Sequence, residues 1–458
     1  MENTEKNIKF EINKKLIASI EAMVDVKNNS GILTLLEDFH YADIAEIFSE
    51  LSLEHSTYII KLLDSEKTAD ILKELDDDDR EKILKNLSAK EIAEEIEELD
   101  SDDATDIISE LPEHRQEKVI AQIEDTELVE DIKELLSYDE DTAGGLMAKE
   151  LVQVNENWSV TRCVKEMRSQ AENVTRVHSI YVVDNDGKLI GRLSLKDLLM
   201  ASPRANISEV YIPKVDFVDV NEDVEDVAKV MQKYDLEAIP VVDDNRILLG
   251  RITIDDVVDV MKEEAEKDYQ LAAGISQDVE ADDTVWELTK ARLPWLVLGL
   301  LGGLGSVFIM EGYEEIMTNE KYSKLFFFTP LIAAMAGNVG VQSSAIIVQG
   351  LANDVVKGSL FNRLLKEISL SLINGIVLGL LVILFGYATG MDLEFSLTIA
   401  ISMLCVIIVA ALIGTFVPII LDKKGIDPAI ATGPFITTSN DIFGIFLFFY
   451  IAKLMLHF

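Results

Sequence analysis

Hydrophobic positions along the first 140 residues recur in a helical pattern. Leucine and isoleucine return at three- and four-residue steps, as in Ile32–Leu36 and Ile92–Leu99, with acidic and polar residues between them. This period predicts one short amphipathic helix after another. Phrases such as Ala42–Ile44 and Ala69–Ile71 resemble one another, which favours a superhelix of helix pairs, although their spacing looks too irregular for a strict repeat. We predict an all-α superhelical N-domain over residues 1–140.

The pattern then changes to short β-branched strands that alternate with helices, and it does so twice. Ser179–Asp184 and Gly191–Asp197 are echoed by Ala238–Asp243 and Gly250–Asp256. A strand, a turn, a second strand and a helix opened by an aspartate form a coherent α/β unit. The sequence therefore predicts two copies of one module, over residues 141–202 and 203–262.

A helix follows the second module. Between Asp255 and Gly274, apolar residues form one stripe and carboxylates form another. We predict that residues 263–290 connect the soluble part to a membrane part. A helix in that place either transmits motion or acts as a spacer.

Five charge-poor runs come next, and each meets or approaches the roughly 20 residues that span a bilayer. They are Leu293–Met310, Leu325–Ala352, Ile368–Met391, Phe395–Leu421 and Pro428–Ala452. Basic residues precede run one and lie between runs two and three and runs four and five, which places those loops in the cytosol. The sequence predicts a five-helix membrane domain, residues 291–458, in the plasma membrane. The N-domain and the two modules are then cytoplasmic, and the C-terminus is extracellular.

The fifth run carries one full charge, Asp441, near its middle. An ionisable side chain at bilayer depth is costly unless it faces water or a partner, so it indicates an ion or proton pathway. Gly433, Thr437 and Asp441 follow at i, i+4 spacing, which puts them on one helix face. We interpret this face as pore lining. The alternative is an aspartate that pairs inside a helix bundle, although the other runs offer no lysine or arginine for it.

Run two is interrupted by small and polar residues. Thr329-Pro330 and the glycines around Asn338 weaken the helix, and Asn338 shares a face with Gln342. Carbonyls freed in such a stretch can line a watery cavity and meet a cation there. The alternative is tight helix packing through glycine, the interpretation that we favour for run one at Gly299, Gly302, Gly303 and Gly305.

Charge is distributed very unevenly. From Ala291 onward the chain holds 9 Lys and Arg and 11 Asp and Glu, out of 41 and 82, so the first 290 residues carry a net charge of −39. Such a surface repels nucleic acid and attracts metal cations or basic partners. The acidic runs Asp76–Asp79 and Asp100–Asp103 either bind cations, with Asp100 and Asp103 as candidate ligands, or cap helices.

Other classes of function find little support. Cys163 and Cys405 are too few for a disulfide framework, which suits a reducing cytosol. No phosphate-binding loop, nucleophile elbow or zinc signature is present, so we do not expect an enzyme.

The repeated module resembles a tandem pair of cystathionine-β-synthase-type (CBS) regulatory domains. In such pairs a Ser/Thr-x-x-Asp motif often holds the ribose of an adenine nucleotide, and the matching residues here are Ser194 with Asp197 and Thr253 with Asp256. The resemblance implies ATP or another adenine nucleotide as a ligand. The same residues also serve as plain helix caps.

The whole chain resembles the magnesium transporter E (MgtE) family, because several motifs occur in the family's order. They are the acidic helical N-domain, Asp141–Met147, the CBS pair, the acidic connecting helix, Arg292–Trp295, and five spans that contain Gly337–Gln342 and Thr437–Asp441. The resemblance implies a homodimeric magnesium channel in the lipid bilayer, with its pore at the dimer interface and a gate that cytosolic magnesium closes.

Residue by residue, the resemblance implies that Asp441 is the pore ligand. The regulatory magnesium ligands that it implies are Asp235, Asp256, Asp259, Glu264 and Asp268, with Asp427 near the inner mouth. Lys267 departs from the family's acidic pattern in the connecting helix and puts one regulatory site in doubt. Magnesium gives up its water reluctantly, so a few carboxylate and carbonyl oxygens suffice to hold the hydrated ion.

Two other readings of the sequence remain open. A secondary carrier would exchange the divalent ion against sodium or protons, with Asp441 as the shared site. A nucleotide-sensing membrane anchor would use the spans only as support, and it leaves Asp441 unexplained.

Overall fold

The fold class predicted from the sequence is confirmed by the computed structural model. The structure describes residues 12–171, 174, 176–276, 279, 281, 283–317, 322–353, 355–356, 359–431 and 433–457. Its contacts define two compact units, Met1–Met261 and Lys262–Phe458. The first unit holds the helical N-domain and two α/β modules, and the second holds the membrane helices.

From residue 12 onward, where the structure describes the chain, ten short helices form the N-domain. They are α1 Lys14–Asp25, α2 Asn29–Leu36, α3 Tyr41–Ser49, α4 Leu53–Ile60, α5 Ser65–Glu74, α6 Asp77–Leu84, α7 Ala89–Ile96, α8 Ser101–Ser109, α9 Glu113–Ile120 and α10 Thr126–Leu135. Helix α3 packs on α5, α5 on α7 and α7 on α9, so alternate helices stack into a superhelix. Fully buried isoleucines such as Ile44, Ile71 and Ile92 form its continuous core.

The N-domain is a regular repeat, contrary to the sequence interpretation. Its N-cap residues from α2 to α9 lie 12 positions apart: Asn28, His40, Ser52, Asp64, Asp76, Ser88, Asp100 and Pro112. The phrases Ala42–Ile44 and Ala69–Ile71 suggested irregular spacing because they occupy different positions in their helices. The repeat lies in the N-cap positions, and in five of these eight helices the N-cap side chain accepts from a free amide of the first turn.

A buried arginine links successive turns of this superhelix. Arg80 on α6 has a side chain only 11% exposed, and its Nε donates to the two Glu110 carboxylate oxygens at 2.8 and 3.0 Å. Its Nη1 donates to the Leu75 carbonyl oxygen at 3.0 Å, beyond the end of α5. One guanidinium therefore satisfies both the carboxylate that follows α8 and a carbonyl group that follows α5.

The two α/β modules share one topology. In the first, β1 Val152–Asn155 runs parallel to β2 Ile180–Val183, and β2 pairs antiparallel with β3 Leu189–Leu193. The second repeats this order with β4 Val218–Asp219, β5 Ala238–Val242 and β6 Leu248–Thr253. The register shifts at the matching steps, Val182/Val183 and Val241/Val242. The helices are α11 Ala143–Leu146 before β1, α12 Val160–Gln170, α13 Leu195–Met200, α14 Val224–Tyr234 and α15 Ile254–Ala273.

The glycines of the Asp141–Met147 motif dock the start of the first module onto the second. The Gly144 amide donates to the Val220 carbonyl oxygen at 2.8 Å, and a Cβ at Gly144 would lie 2.8 Å from Val220 Cγ2. A Cβ at Gly145 would lie 2.6 Å from the Asp139 carbonyl oxygen. Both positions therefore require glycine for close backbone approach.

Among the described residues of the second unit, five helices are long and apolar enough to cross a membrane. In chain order its helices are α16 Val285–Glu311, the short α17 Glu314–Met317, α18 Thr329–Ala352, α19 Leu360–Thr389, α20 Leu393–Asp422 and α21 Gly433–Leu456. A 3₁₀ turn, Ser323–Phe328, leads into α18. Helix α20 is the most buried, because it packs against α18, α19 and α21.

The span boundaries differ from the apolar runs, most at the starts of α16, α19 and α21. Helix α19 begins at Leu360 rather than at Ile368. Helix α16 begins before its run, because a capping box between Thr284 and Glu287 starts it at Val285. The fifth run divides into a 3₁₀ turn, Pro428–Ala431, and α21, which begins at Gly433.

The prediction that all four run-one glycines mediate packing was wrong for two of them. Gly302 contacts Thr438 and Gly305 approaches Ile442, both on α21. No side chain or backbone approaches an added Cβ at Gly299 or Gly303 within 4 Å in the described part of the chain.

We predict that Arg80→Ala destabilises the N-domain by about 3 kcal/mol, because it leaves the Glu110 carboxylate without its buried partner. Hydrogen exchange of the full chain should show faster exchange in α5 to α8. Lys85→Ala is the matched control, since Lys85 makes a salt bridge to Glu81 with both side chains largely exposed. Equal exchange in the two variants would contradict a structural role for the Arg80 links.

Candidate functional site

A cavity of about 310 Å³ lies between the membrane helices α18 and α21. Its polar lining consists of Asn338 and Gln342 from α18 and Thr437 and Asp441 from α21. Ala333, Ala334, Gly337 and Val341 supply the remaining lining. The structure thus brings Asp441, Thr437 and Asn338 together, as the sequence predicted.

Small residues allow the acidic group to approach the neighbouring helix. A Cβ at Gly337 would lie 3.2 Å from Thr437 Cγ2 and 3.7 Å from Asp441 Oδ1, so glycine keeps α18 and α21 close beside the carboxylate. The Thr437 hydroxyl donates to the Gly433 carbonyl oxygen at 3.1 Å, which leaves its oxygen lone pairs available to a ligand.

Asp441 is half-buried, and no lysine or arginine forms an ion pair with it within the described residues. A carboxylate at this depth without a basic partner matches the pore-lining interpretation better than pairing inside the bundle. Its polar neighbours can accept from or donate to the water shell of a cation.

Gly433 takes a different position from the other predicted pore residues. It is absent from the cavity lining, and a Cβ there would overlap the Ala272 carbonyl oxygen near the end of α15. One residue further, Pro434 contacts Gly274. The connecting helix therefore ends against the first turn of α21. Asp427 lies nearby in sequence and caps the 3₁₀ turn, since its Oδ1 accepts from the Ala429 amide at 2.7 Å.

Asn440 directly precedes Asp441 in the Thr437–Asp441 motif, and the sequence analysis gave it no role of its own. Its side chain is 1% exposed, and neither of its polar atoms has a hydrogen-bond partner in the described structure. It packs against Gly340, whose backbone in turn contacts Gly414 of α20. Three helices meet at this contact through two glycines and one amide.

A second acidic site lies in the first unit, between α8 and the entrance to β1. One carboxylate oxygen each from Asp100, Asp102 and Glu150 lies within 4.8 Å of the others, and these residues are half-buried. The Ser101 amide and hydroxyl donate to Glu150 at 3.1 and 2.8 Å. Arg251 Nη2 lies 3.3 Å from Asp100 Oδ2. Oxygen clusters of this kind suit a hard cation such as magnesium.

The electrostatics of this acidic site favour an added positive charge. Burial, with the neighbouring Asp103 and Asp256 carboxylates, raises the pKa of Asp102 well above its ordinary value. Burial also raises the pKa of Asp103, against the opposing effect of Lys73, whose Nζ lies 2.8 Å from Asp103 Oδ2. Carboxylates that resist ionisation in this way are stabilised by protons or metal cations.

Sequence reasoning found part of this site. Asp100 and Asp103 were predicted from the acidic run, and Asp256 contributes to the same electrostatic field. Asp102 and Glu150 were missed. Glu150 follows the Asp141–Met147 motif with no acidic neighbours in sequence, so only the folded chain connects it to α8.

The other regulatory candidates lie on α14 and α15. Asp235 is exposed at the end of α14 in a left-handed conformation, with φ of 51°. Asp259 is exposed on α15, whereas Glu264 and Asp268 are half-buried there. Lys267 Nζ lies 2.9 Å from Glu264 Oε1, so the residue that departs from the family pattern pairs with a predicted ligand.

The predicted nucleotide motifs occupy equivalent places in the two modules, at the starts of α13 and α15. Thr253 donates to Asp256 Oδ2 from its amide at 3.0 Å and its hydroxyl at 2.5 Å, which is a capping arrangement. Ser194 is the N-cap of α13 but makes no side-chain cap bond, and Asp197 is half-buried. The structure therefore realises the capping alternative in the second module.

Family models match most of the N-domain, both α/β modules and the membrane helices from α18 onward. The family model described as the MgtE intracellular N domain matches residues 39–141. The CBS domain model matches residues 143–204 and 207–263. The MgtE divalent cation transporter model matches residues 329–451.

Individual relatives agree with the family models. The magnesium transporter MgtE of Thermus thermophilus is 32% identical over 463 residues, which cover 97% of this chain and 99% of that protein. The magnesium transporter MgtE of Enterococcus faecalis is 36% identical over 324 residues, covering 70% of this chain and 71% of that protein. A solved structure of the cytosolic domain of the Mg²⁺ channel MgtE in complex with ATP is 34% identical, with a TM-score of 0.50, and covers 53% of this chain and 99% of that one.

These matches agree in domain order with the architecture described above, and they confirm the resemblance seen in the sequence. The chain belongs to the MgtE family of magnesium transporters.

Proposed function

We propose that this transporter is a magnesium channel for Mg²⁺ uptake, in which Asp441 is the pore ligand and cytosolic magnesium closes the gate. The observation that carries the proposal is the half-buried Asp441 carboxylate, which shares a cavity with Asn338, Gln342 and Thr437. The charge attracts a cation, and the neutral oxygens supply hydrogen bonds to its water shell. Magnesium dehydrates reluctantly, so a site of this kind suits the hydrated ion.

The channel that we propose is a homodimer. Ala334, Asn338 and Gln342 follow at four-residue steps on α18, and all three are exposed in the single chain. Amide side chains facing hydrocarbon would be left unsatisfied, so this face needs another protein surface or a water-filled path. A second copy related by a two-fold axis supplies both, because the same face then meets itself and brings two Asp441 residues to one pore.

The acidic site in the first unit supports regulation by the transported ion. Magnesium bound at Asp100, Asp102 and Glu150 would offset the burial and the carboxylate repulsion that raise the pKa of Asp102, and so would hold α8 against the segment that leads into β1. A ligand shifts such an equilibrium only by binding one state more tightly. Further regulatory ligands that we propose are Asp103, Asp235, Asp256, Asp259, Glu264, Asp268 and Asp427.

Helix α15 offers a direct route from the second module to the pore helix. It is continuous from Ile254 to Ala273, and its end contacts Gly433 and Pro434 at the start of α21. A shift of α15 would therefore move the base of the helix that carries Asp441. Lys267 pairs with Glu264 through one exposed and one half-buried side chain at the protein surface, and we propose that magnesium can displace it.

Membrane orientation follows the distribution of basic loops, with the soluble region in the cytosol and the C-terminus outside. We also propose that the CBS pair binds an adenine nucleotide. The solved MgtE cytosolic domain in complex with ATP supports this, and Ser194 and Asp197 are its candidate ribose ligands in the first module, with Thr253 and Asp256 in the second.

We expect Asp441→Ala to abolish magnesium flux into liposomes, because the pore loses its carboxylate. Asp441→Asn keeps the shape and an acceptor oxygen, and should reduce the flux rather than abolish it. Asp422→Asn, which removes an exposed charge at the end of α20, is the control. Full flux through Asp441→Ala would remove this residue from the mechanism, and the absence of single-channel openings in the parent would favour a coupled carrier.

Neutralising the acidic site should mimic magnesium. The double variant Asp102→Asn with Glu150→Gln should have a higher thermal midpoint than the parent in the absence of magnesium, because repulsion among the carboxylates is reduced. Magnesium should raise the midpoint of the parent, and most of this rise should be absent in the double variant. Glu54→Gln with Glu74→Gln removes the same charge from exposed positions and serves as the control. A magnesium-induced rise as large as the parent's would show that the cation binds elsewhere.

Titration calorimetry of the full chain with ATP should give a binding heat, and Asp197→Ala should weaken binding by about tenfold through loss of the ribose hydrogen bond. Asp186→Ala alters an exposed turn between β2 and β3 and should bind like the parent. A full chain that gives no heat with any adenine nucleotide would refute the nucleotide site.

A further inference from the structure

A second carboxylate lies within the membrane helices, outside the cavity described above. Glu367 is the eighth residue of α19 and is half-buried. Its Oε1 accepts a hydrogen bond of 2.5 Å from the hydroxyl of Ser343, which is 5% exposed on α18. At about 1.5 Å per residue, Glu367 lies roughly 10 Å from the start of α19, and Ser343 lies roughly 13 Å from the end of α18. The contact is therefore well inside both helices.

This hydrogen bond joins two helices through a polar contact. Helix α19 packs chiefly against α20, as α18 also does. Glycines at 375, 379 and 386 bring α19 close to α20, so apolar packing alone already seats α19 in the bundle. Glu367 directly precedes the apolar run that begins at Ile368, and no ion pair to Arg363, one turn earlier, occurs within the described residues. Packing of α19 therefore does not account for Glu367.

The position of Ser343 on α18 gives the hydrogen bond a consequence for the pore. Ser343 directly follows Gln342, which lines the cavity, and successive helical residues point about 100° apart. The hydrogen bond from the Ser343 hydroxyl to Glu367 of α19 therefore fixes the rotation of α18 about its axis. That rotation decides whether Asn338 and Gln342 face the Asp441 carboxylate.

We infer that Glu367 is a positioning residue for ion conduction: through its hydrogen bond to Ser343 it holds the polar face of α18 toward Asp441. The inference rests on the proposed function, since it assumes that this face lines the pore. Glu367 touches no ion in this mechanism. Its carboxyl group acts only as a hydrogen-bond acceptor, so an amide can replace it and an alkyl group cannot.

The test measures magnesium and nickel flux through the full-length protein in liposomes for a set of variants. Glu367→Leu and Ser343→Ala should each lower magnesium flux by about tenfold, because a strong buried hydrogen bond is lost, and should change the magnesium-to-nickel flux ratio. Glu367→Gln should stay within about twofold of the parent. In the double variant Ser343→Ala with Glu367→Leu, the loss should match that of either single change, since both remove one interaction.

Two controls separate this role from simple packing. Ser369→Ala lies on α19 two residues beyond Glu367, and its hydroxyl donates at 2.9 Å to Leu365 of the same helix. Ser344→Ala removes a fully buried α18 hydroxyl that has no partner in the described structure. Both should keep the parent's flux ratio. If Glu367 had only a structural role, Glu367→Leu would lower the thermal midpoint and the yield of the protein but would leave the magnesium-to-nickel flux ratio unchanged.

Several results would overturn the inference. They are an unchanged flux ratio in both Glu367→Leu and Ser343→Ala, independent and additive losses in the double variant, or a loss in Glu367→Gln as large as in Glu367→Leu. The last result would mean that the charge itself is needed. If Glu367→Leu does not fold, Ser343→Ala and Glu367→Gln decide the question. Asp441→Ala in the same assay separates the two proposals. Full magnesium flux through Asp441→Ala would refute the proposed pore. No flux through Asp441→Ala, together with parent-like flux through Glu367→Leu, would refute only the positioning role of Glu367.

Discussion

Burial of carboxylates is the constraint on which this structure depends. A carboxylate removed from water needs a positive charge, a proton or strong donors, and without them it destabilises the fold around it. The N-domain meets this need with Arg80 at Glu110. At Asp102 and Glu150 the protein supplies less, namely the Ser101 donors to Glu150 and the guanidinium of Arg251, which pairs with the neighbouring Asp100. At Asp441 no basic partner is present in the described residues, and a cation completes the site that we propose.

The same constraint connects transport to regulation. A site whose charge the protein satisfies completely, like the one at Glu110, has little affinity left for an ion. A site left partly unsatisfied binds cations and also changes stability when it does so. We propose that the acidic cluster beside α8 is of the second kind; it joins the N-domain to the segment before β1. Magnesium binding there would therefore act on domain packing, and α15 carries the next step toward α21.

How much could be predicted from the sequence depended on the distance over which each signal acts. Helical periodicity, the repeated strand motif and the long apolar runs are local, and each gave the correct kind of element. Asp441 was found because one charge in an apolar run is visible without a structure. Thr437 followed from its spacing to Asp441, and Asn338 from the small and polar residues that interrupt run two. The 12-residue repeat was missed because it lies in the cap positions, from Asn28 to Pro112, where Asn, His, Ser, Asp and Pro replace one another. Glu150 and Glu367 were missed because their partners are 49 and 24 residues away.

Gly433 shows why spacing on a helix does not by itself assign a function. It shares a face with Thr437 and Asp441, yet its position near the end of α15 makes it part of the contact between the connecting helix and the pore helix. A side chain there would push against the Ala272 carbonyl group, so glycine permits α15 to end at the base of α21. The Thr437 hydroxyl donates to the Gly433 carbonyl oxygen, one turn below Asp441. In the proposed channel, displacement of the end of α15 would therefore act on Asp441 through one hydrogen bond and one helical turn.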